Sequence, residues 1–263
     1  MNRYRFDKEK HVHFLDEKPL NGTSTISGII STGAALSWWA SGKALEKLGW
    51  TATKSPKKER LETAEKILEA IKTMGGKIYL SLLDECYKNH KTKLDDAADK
   101  GIDLHAQLEL FIIRTMQGVE NADDGLDMRI TPFVEWSQKN VKRFLLTEGY
   151  CYSEKLWTGG ICDAMAEMFD GTIALIDFKS AKSAYFKHFV QCAGYALEIE
   201  ENGWFDCDGN KLDYLEQPID RLIVVPFGAE VVVPVEPIQG IGEYKQAFES
   251  AAKLHSIMGK DKI

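Results

Sequence analysis

An Asp170-Gly171 pair set between two short apolar runs constrains this chain more than any other feature. The runs are Gly160 to Phe169 and Thr172 to Phe178. Asp-Gly between β-rich segments is a strong hairpin signal. The second run, Thr172-Ile-Ala-Leu-Ile, is too short and too rich in strand-forming residues to be read first as a helix. It should enter the core, yet it ends in Asp177-Phe178-Lys179, and the first run carries Asp163 near its start.

Register decides what these charges do. A two-residue loop at 170-171 pairs 169 with 172 and sends Asp163 and Asp177 to opposite faces. A three-residue loop at 169-171, with Gly171 left-handed, pairs 168 with 172 and 163 with 177. Side-chain alternation then gathers Asp163, Asp177 and Lys179 on one face. Two carboxylates and an ammonium at a sheet end can hold a hard cation, and oxygen ligands suit Mg2+ or Mn2+. Such an ion activates water, while the lysine orients the water or offsets charge developing on a phosphoryl group. The competing reading of Asp-x-Lys is a solvated salt bridge at a sheet edge.

Two helical patterns flank this ribbon. Ala98, Gly101, His105, Leu108 and Ile112 share one face of a helix expected over 94-117, so His105 points with the apolar side. Glu109 lies one turn further along. After the ribbon a helix is expected over Ala184 to Ile199. It places Gln191 and Tyr195 on one side, with Lys187 one turn earlier, and Lys182 adds charge just before it. These could face a polyanion or brace Lys179; the plain alternative for Gln191 and Tyr195 is a helix–sheet hydrogen bond.

Gly159-Gly160-x-x-Asp163, then Asp177-x-Lys179, then Gln191-x-x-x-Tyr195, preceded by Gly101-x-x-x-His105-x-x-x-Glu109, resembles the PD-(D/E)xK nuclease superfamily. It is most similar to the RecB-type exonuclease branch, which includes the mitochondrial genome maintenance exonuclease and the CRISPR adaptation nucleases. The resemblance spans roughly residues 98 to 233 well and the N-terminal part loosely, and Ser180 stands where threonine is usual. It implies a restriction-endonuclease-like mixed sheet flanked by helices. It also implies a metal-dependent DNA exonuclease acting in recombination, repair or genome processing. Asp163, Asp177 and Lys179 would be catalytic, and His105, Asp163, Asp177 and the Phe178 carbonyl would bind Mg2+ or Mn2+. Glu148, 15 positions before Asp163, matches a glutamate of relatives better than Glu154 does. Together with Gln191, Tyr195, Lys182 and Lys187 it would support the site or the substrate. The implied partner is DNA, as single strands or duplex ends, with a recombinase or single-strand-binding protein beside it. The alternative is a catalytically inactive nucleic-acid-binding module of the same fold.

Length and composition fit this. A chain of 263 residues is enough for a sizeable core. A net charge of −7 argues against a protein that coats nucleic acid non-specifically, but leaves room for a local basic groove. The five cysteines form no CxxC pair, which suggests free thiols. Some relatives hold an iron–sulfur cluster with four cysteines including a closely spaced C-terminal group; that group is missing, so no cluster is expected. No GxxxxGK[ST] occurs, so ATP use is not expected. The first ten residues lack an apolar signal region and no run approaches membrane-spanning length, so a cytoplasmic protein without a membrane partner is expected.

Along the chain, residues 1 to 20 suggest a small hairpin. A helix is expected over Ala34 to Leu48, with Trp38-Trp39 available for stacking on bases. Ser55-Pro56 reads as N-cap and first residue of a helix striped by Leu61, Ala64, Leu68 and Ile71, and a separate helix is expected over Lys77 to Lys88. The basic stretch Lys54 to Arg60, with Lys88, Lys91 and Lys93, could meet phosphates. A short helix over Pro132 to Lys139 and a strand over Val141 to Leu146 lead into the ribbon. Strands at Arg221 to Pro226 and Glu230 to Val235 and a helix over Tyr244 to Met258 close the chain. The division expected is a helical wall or cap over 1-93 and a nuclease core over 94-263.

Overall fold

A computed structural model describes residues 3-30, 41-50, 55-228 and 234-258, with backbone alone described over 89-103. The protein is α/β, with a mixed sheet flanked by helices. It divides into two compact units, Met1–Ser31 with Gly101–Ile263, and Thr32–Lys100. The division therefore falls elsewhere than at 93/94, because the N-terminal strands belong with the larger unit.

In that unit the chain opens with β1 (Tyr4–Asp7), β2 (Val12–Leu15) and β3 (Lys18–Pro19), a small antiparallel sheet. Next come β4 (Asn21–Gly22) and the short helix α1 (Thr23–Gly28). The main sheet is built from β5 (Val141–Ser153), β6 (Thr158–Met168), β7 (Ile173–Lys179), β8 (Trp204–Phe205), β9 (Lys211–Asp213) and β10 (Arg221–Pro226). Its order is β10-β7-β6-β5-β8-β9, with β4 added beside β6. Pairing is antiparallel except for β10 on β7 and β4 on β6.

Strands β6 and β7 are buried nearly throughout, as a central ribbon covered on both faces must be. On one face α5 (Phe186–Asn202) and α6 (Ile241–Met258) pack Val190, Ala193, Ile199 and Phe248 against Met165 and Leu175. On the other, Leu104, Leu108 and Ile112 join Phe133 and Val134 against Ala166, Ala174 and Ile176. Leu104, Leu108 and Ile112 lie on α3 (Gly76–Met116), and Phe133 and Val134 on α4 (Thr131–Asn140). Each large apolar side chain removed from water contributes about 1.5–3 kcal/mol. Gly194 lets α5 and α6 approach, since a Cβ there would lie 2.5 Å from the Phe248 ring.

In the smaller unit, residues 41-47 are helical and stop at Gly49 in the left-handed region. Helix α2 (Lys57–Thr73) has Pro56 as its N-cap rather than Ser55. Its stripe residues Leu61 and Leu68 are exposed. The two helices expected over 77-88 and 94-117 are one continuous helix, α3, because no glycine or proline interrupts residues 77-100. Strand β5 runs on to Ser153, past the expected end at Leu146, and β8 and β9 add two short strands. Trp38-Trp39, Lys54, the side chains of Lys91, Lys93, Ala98 and Gly101, and residues 230-233 of the last expected strand lie outside the described residues. No described helix is long and apolar enough to cross a membrane.

Candidate active site

The β6–β7 ribbon turns through a three-residue loop. Gly171 has φ +85° and its N–H donates to the Met168 carbonyl at 3.0 Å, while the Met168 N–H donates to Thr172. Ala164 pairs with Ile176 and Ala166 with Ala174, a register that sets Asp163 opposite Asp177. Asp177 and Lys179 alternate with Leu175 on the side of α5, whereas Asp163 is met by His105 of α3, the helix packed on the other face, so the expected single face for all three is not what their neighbours show.

Asp177 is fully buried. The Lys179 ammonium stands 2.8 Å from each of its oxygens, but the angle allows a hydrogen bond only to Oδ1. Oδ2 is left without a hydrogen-bond partner. Burial raises the Asp177 pKa against the pull of Lys179, and the nearby Asp163 raises it further. Burial works against the Lys179 charge too, but Asp177 and Asp163 outweigh it and the lysine pKa is raised, so it is cationic at neutral pH.

Asp163 is fixed at one oxygen, Oδ2. The Phe178 N–H donates to Oδ2 at 2.7 Å, which ties one strand's carboxylate to the next strand's backbone. His105 reaches this point from α3. Its Nε2 lies 3.4 Å from Asp163 Oδ2 and 3.3 Å from the Phe178 carbonyl oxygen. Its ring stands edge-on to Phe178 and Phe227, which hold its plane. Burial would lower the His105 pKa, but the hydrogen bond and charge of Asp163 prevail and raise it. One imidazole nitrogen, one carboxylate oxygen and one main-chain oxygen therefore meet within a span suited to a divalent ion. Among the described residues no group of three His, Cys, Asp or Glu side chains converges to hold a metal.

Glu148 belongs to the same neighbourhood. The β5–β6 ladder, with Thr147 opposite Ala164 and Gly149 opposite Cys162, sets it across from Asp163. It has φ +49°, a conformation costly for a residue with a Cβ. Its side chain is at the surface, yet partial desolvation and the charges of Glu109 and Asp163 still raise its pKa. Glu154 lies elsewhere, paired with Arg3 at 3.1 Å.

Helix α5 supplies the lid of residues over Asp177. Gln191 Nε2 donates to the Tyr195 hydroxyl at 2.6 Å, so these two bond to each other rather than across to the sheet. Tyr195 is buried on Gly160: a Cβ at that glycine would lie 2.4 Å from the ring and 2.7 Å from Thr23 Oγ1. The Gly-x-x-Asp spacing thus has a packing cause, since only glycine lets α1 and α5 close over β6. Lys182 and Lys187 are exposed. His188, which sequence reasoning passed over, is buried next to Lys179. Its Nδ1 accepts from the Tyr185 N–H at 3.2 Å, and burial together with Lys179 and Lys187 lowers its pKa to about 4. Its place three residues before Gln191 was the available signal.

Compared with protein-family models and with curated proteins, the chain matches none.

Proposed function

We propose that this chain is a divalent-metal-dependent deoxyribonuclease of the exonuclease type, a member of the PD-(D/E)xK superfamily related to its RecB-type branch. The observation that carries the reading is the meeting of His105 Nε2, Asp163 Oδ2 and the Phe178 carbonyl beside a buried carboxylate with an unmatched oxygen. That oxygen is ion-paired with Lys179 but accepts no hydrogen bond, which is costly for a buried carboxylate unless something compensates it. His105, Asp163 and the Phe178 carbonyl are nitrogen and oxygen donors of the kind that Mg2+ or Mn2+ takes, and Asp177 would have to move toward them to join as a further ligand. When bound, such an ion supplies Lewis acidity and a more acidic water.

The chain's own residues would do the rest. Lys179, cationic at neutral pH, is unsuited to act as a base; it offers its ammonium to a phosphate oxygen or to the attacking water and offsets charge at phosphorus. Asp177 holds that ammonium in place from one side. Gln191 and Tyr195 bond to each other within α5, and Lys182, just before that helix, and Lys187, in its first turn, lie exposed where a DNA backbone could be met. Phosphodiester hydrolysis gains chiefly from such positioning and electrostatics.

A catalytically inactive nucleic-acid-binding module is the second reading, favoured by the lack of three converging ligand side chains among the described residues. One assay separates the two. Labelled single- and double-stranded DNA is incubated with Mn2+, Mg2+ or EDTA, using wild type and Lys179→Ala. Shortening that needs the metal and falls at least about a hundredfold in the variant supports the nuclease. Binding without degradation supports the module.

A further inference from the structure

We infer that Phe6, His11 and Tyr150 form a base-stacking platform for a single-stranded nucleic acid leading to the Asp163 site. The inference rests on the nuclease reading for its ligand class, while the platform itself rests on different residues.

The register of β5 gives its place. Tyr150 pairs with Ile161 on β6, two residues beyond Glu148, which lies across from Asp163. Two residues of strand span about 7 Å. Tyr150 therefore stands one short step from the candidate site. Its ring centroid is 5.1 Å from that of Phe6, at an interplanar angle of 54°. His11 meets Phe6 edge-on at 5.2 Å. Phe6 and Tyr150 are half-exposed and His11 is exposed.

An inner layer of rings carries this outer one. Tyr4 is buried, stacks on Tyr152 at 4.7 Å, and its hydroxyl bonds His13 Nδ1 at 2.7 Å. His13 in turn lies 4.7 Å from Phe6. The inner rings are thus accounted for by packing and hydrogen bonding, whereas the outer three present aromatic surface to solvent. The β1 strand beneath them is pinned by the β8–β9 turn, where a Cβ on Gly209 would lie 1.9 Å from the Tyr4 carbonyl oxygen. A platform held this firmly loses little freedom on binding.

Charge points to bases rather than phosphates as what is gripped. Lys8 and Lys10 at the hairpin tip are interleaved with Asp7 and Glu9, and Lys10 already faces Asp7 at 3.7 Å. Stacking on aromatic rings tolerates any base and is worth about tenfold in affinity per base. It depends little on salt, unlike phosphate contacts.

The test uses the full chain in EDTA, so that no strand is cut. Fluorescence anisotropy compares a labelled thymidine strand of roughly 12 nucleotides with an abasic strand of equal length and charge. Wild type is expected to bind the thymidine strand about tenfold more tightly. Phe6→Ala should remove that preference and Phe6→Trp should retain it. His11→Ala should reduce it about threefold, with circular dichroism confirming the fold because His11 has φ +53°. Equal affinity of wild type for the two strands, no binding to either, or a preference untouched by Phe6→Ala and His11→Ala overturns the platform. A chain that binds with base preference yet never cuts DNA with metal present sinks the nuclease reading alone. One that cuts but shows no base preference sinks the platform alone.

Discussion

Two fully buried acids, Asp177 and Glu198, sit in the same protein and have opposite surroundings. Glu198 accepts a hydrogen bond from the Thr23 hydroxyl at 2.6 Å on Oε1 and from the Cys151 thiol at 3.2 Å on Oε2. The buried Thr158 hydroxyl is close by and completes no hydrogen bond. Burial raises the Glu198 pKa to about 7 in spite of these donors. Asp177 has one cation, Lys179, 2.8 Å from both its oxygens but hydrogen-bonded to Oδ1 alone, so Oδ2 accepts no hydrogen bond. Glu198 ties α1 to α5 and to β5, with both oxygens served. Asp177 is left with bonding capacity that the protein does not fill. Burial of a carboxyl group therefore does not by itself single out a candidate site; the proposed function rests on Asp177 because its hydrogen bonding is incomplete beside a fixed cation.

The sharpest way to break this comparison is to neutralise each acid in turn. Asp177→Asn is expected to slow metal-dependent DNA hydrolysis by about a hundred- to a thousandfold, while Glu198→Gln leaves the rate within about threefold. Equal losses in the two variants, with circular dichroism showing both folded, would erase the distinction.

Stability against pH gives the next largest effect. The Glu198 pKa is raised in the folded chain, so the folded state holds its proton more firmly than the unfolded state. That contribution is fully present below the ordinary value of 4.5 and is lost as pH rises through about 7. Its size is on the order of 3 kcal/mol. Urea unfolding at pH 4.5 and 8 should show wild type losing stability over this window, with the loss reduced by that amount in Glu198→Gln. A curve of unchanged slope in the variant would mean that another group governs it.

Glycine substitutions sharpen the contrast between a packing glycine and a turn glycine. Gly160→Ala drives a methyl group into the Tyr195 ring and Thr23, at a cost of about 1–3 kcal/mol. Gly171→Ala meets open space and costs only its left-handed backbone, about 1 kcal/mol. Thermal denaturation should rank them in that order, and the first alone should also perturb hydrolysis, since Tyr195 lies over Asp177.

Much of the ribbon was legible because two constraints agree in it. Asp170-Gly171 calls for a left-handed residue, and the register that follows sets Asp163 opposite Asp177. The face carrying His105 was legible from helical spacing, although its approach to the Phe178 carbonyl is a tertiary fact. Glu148 was found by its distance from Asp163, but strand alternation could not foresee its left-handed backbone. Glu198 was not seen, because an acid on an amphipathic helix reads as solvated until Thr23 and Cys151 are known to enclose it. The expected break between residues 88 and 94 did not occur, since charge runs without glycine or proline do not stop a helix. Strands β8 and β9 are too short for any periodicity to show.

The account turns on whether the ribbon site takes up a divalent ion, and calorimetric titration of Mn2+ into the full chain at neutral pH measures this directly. Wild type is expected to bind the ion, and Asp163→Asn to bind it at least about tenfold more weakly. No uptake by wild type, or equal affinity in the variant, would contradict it.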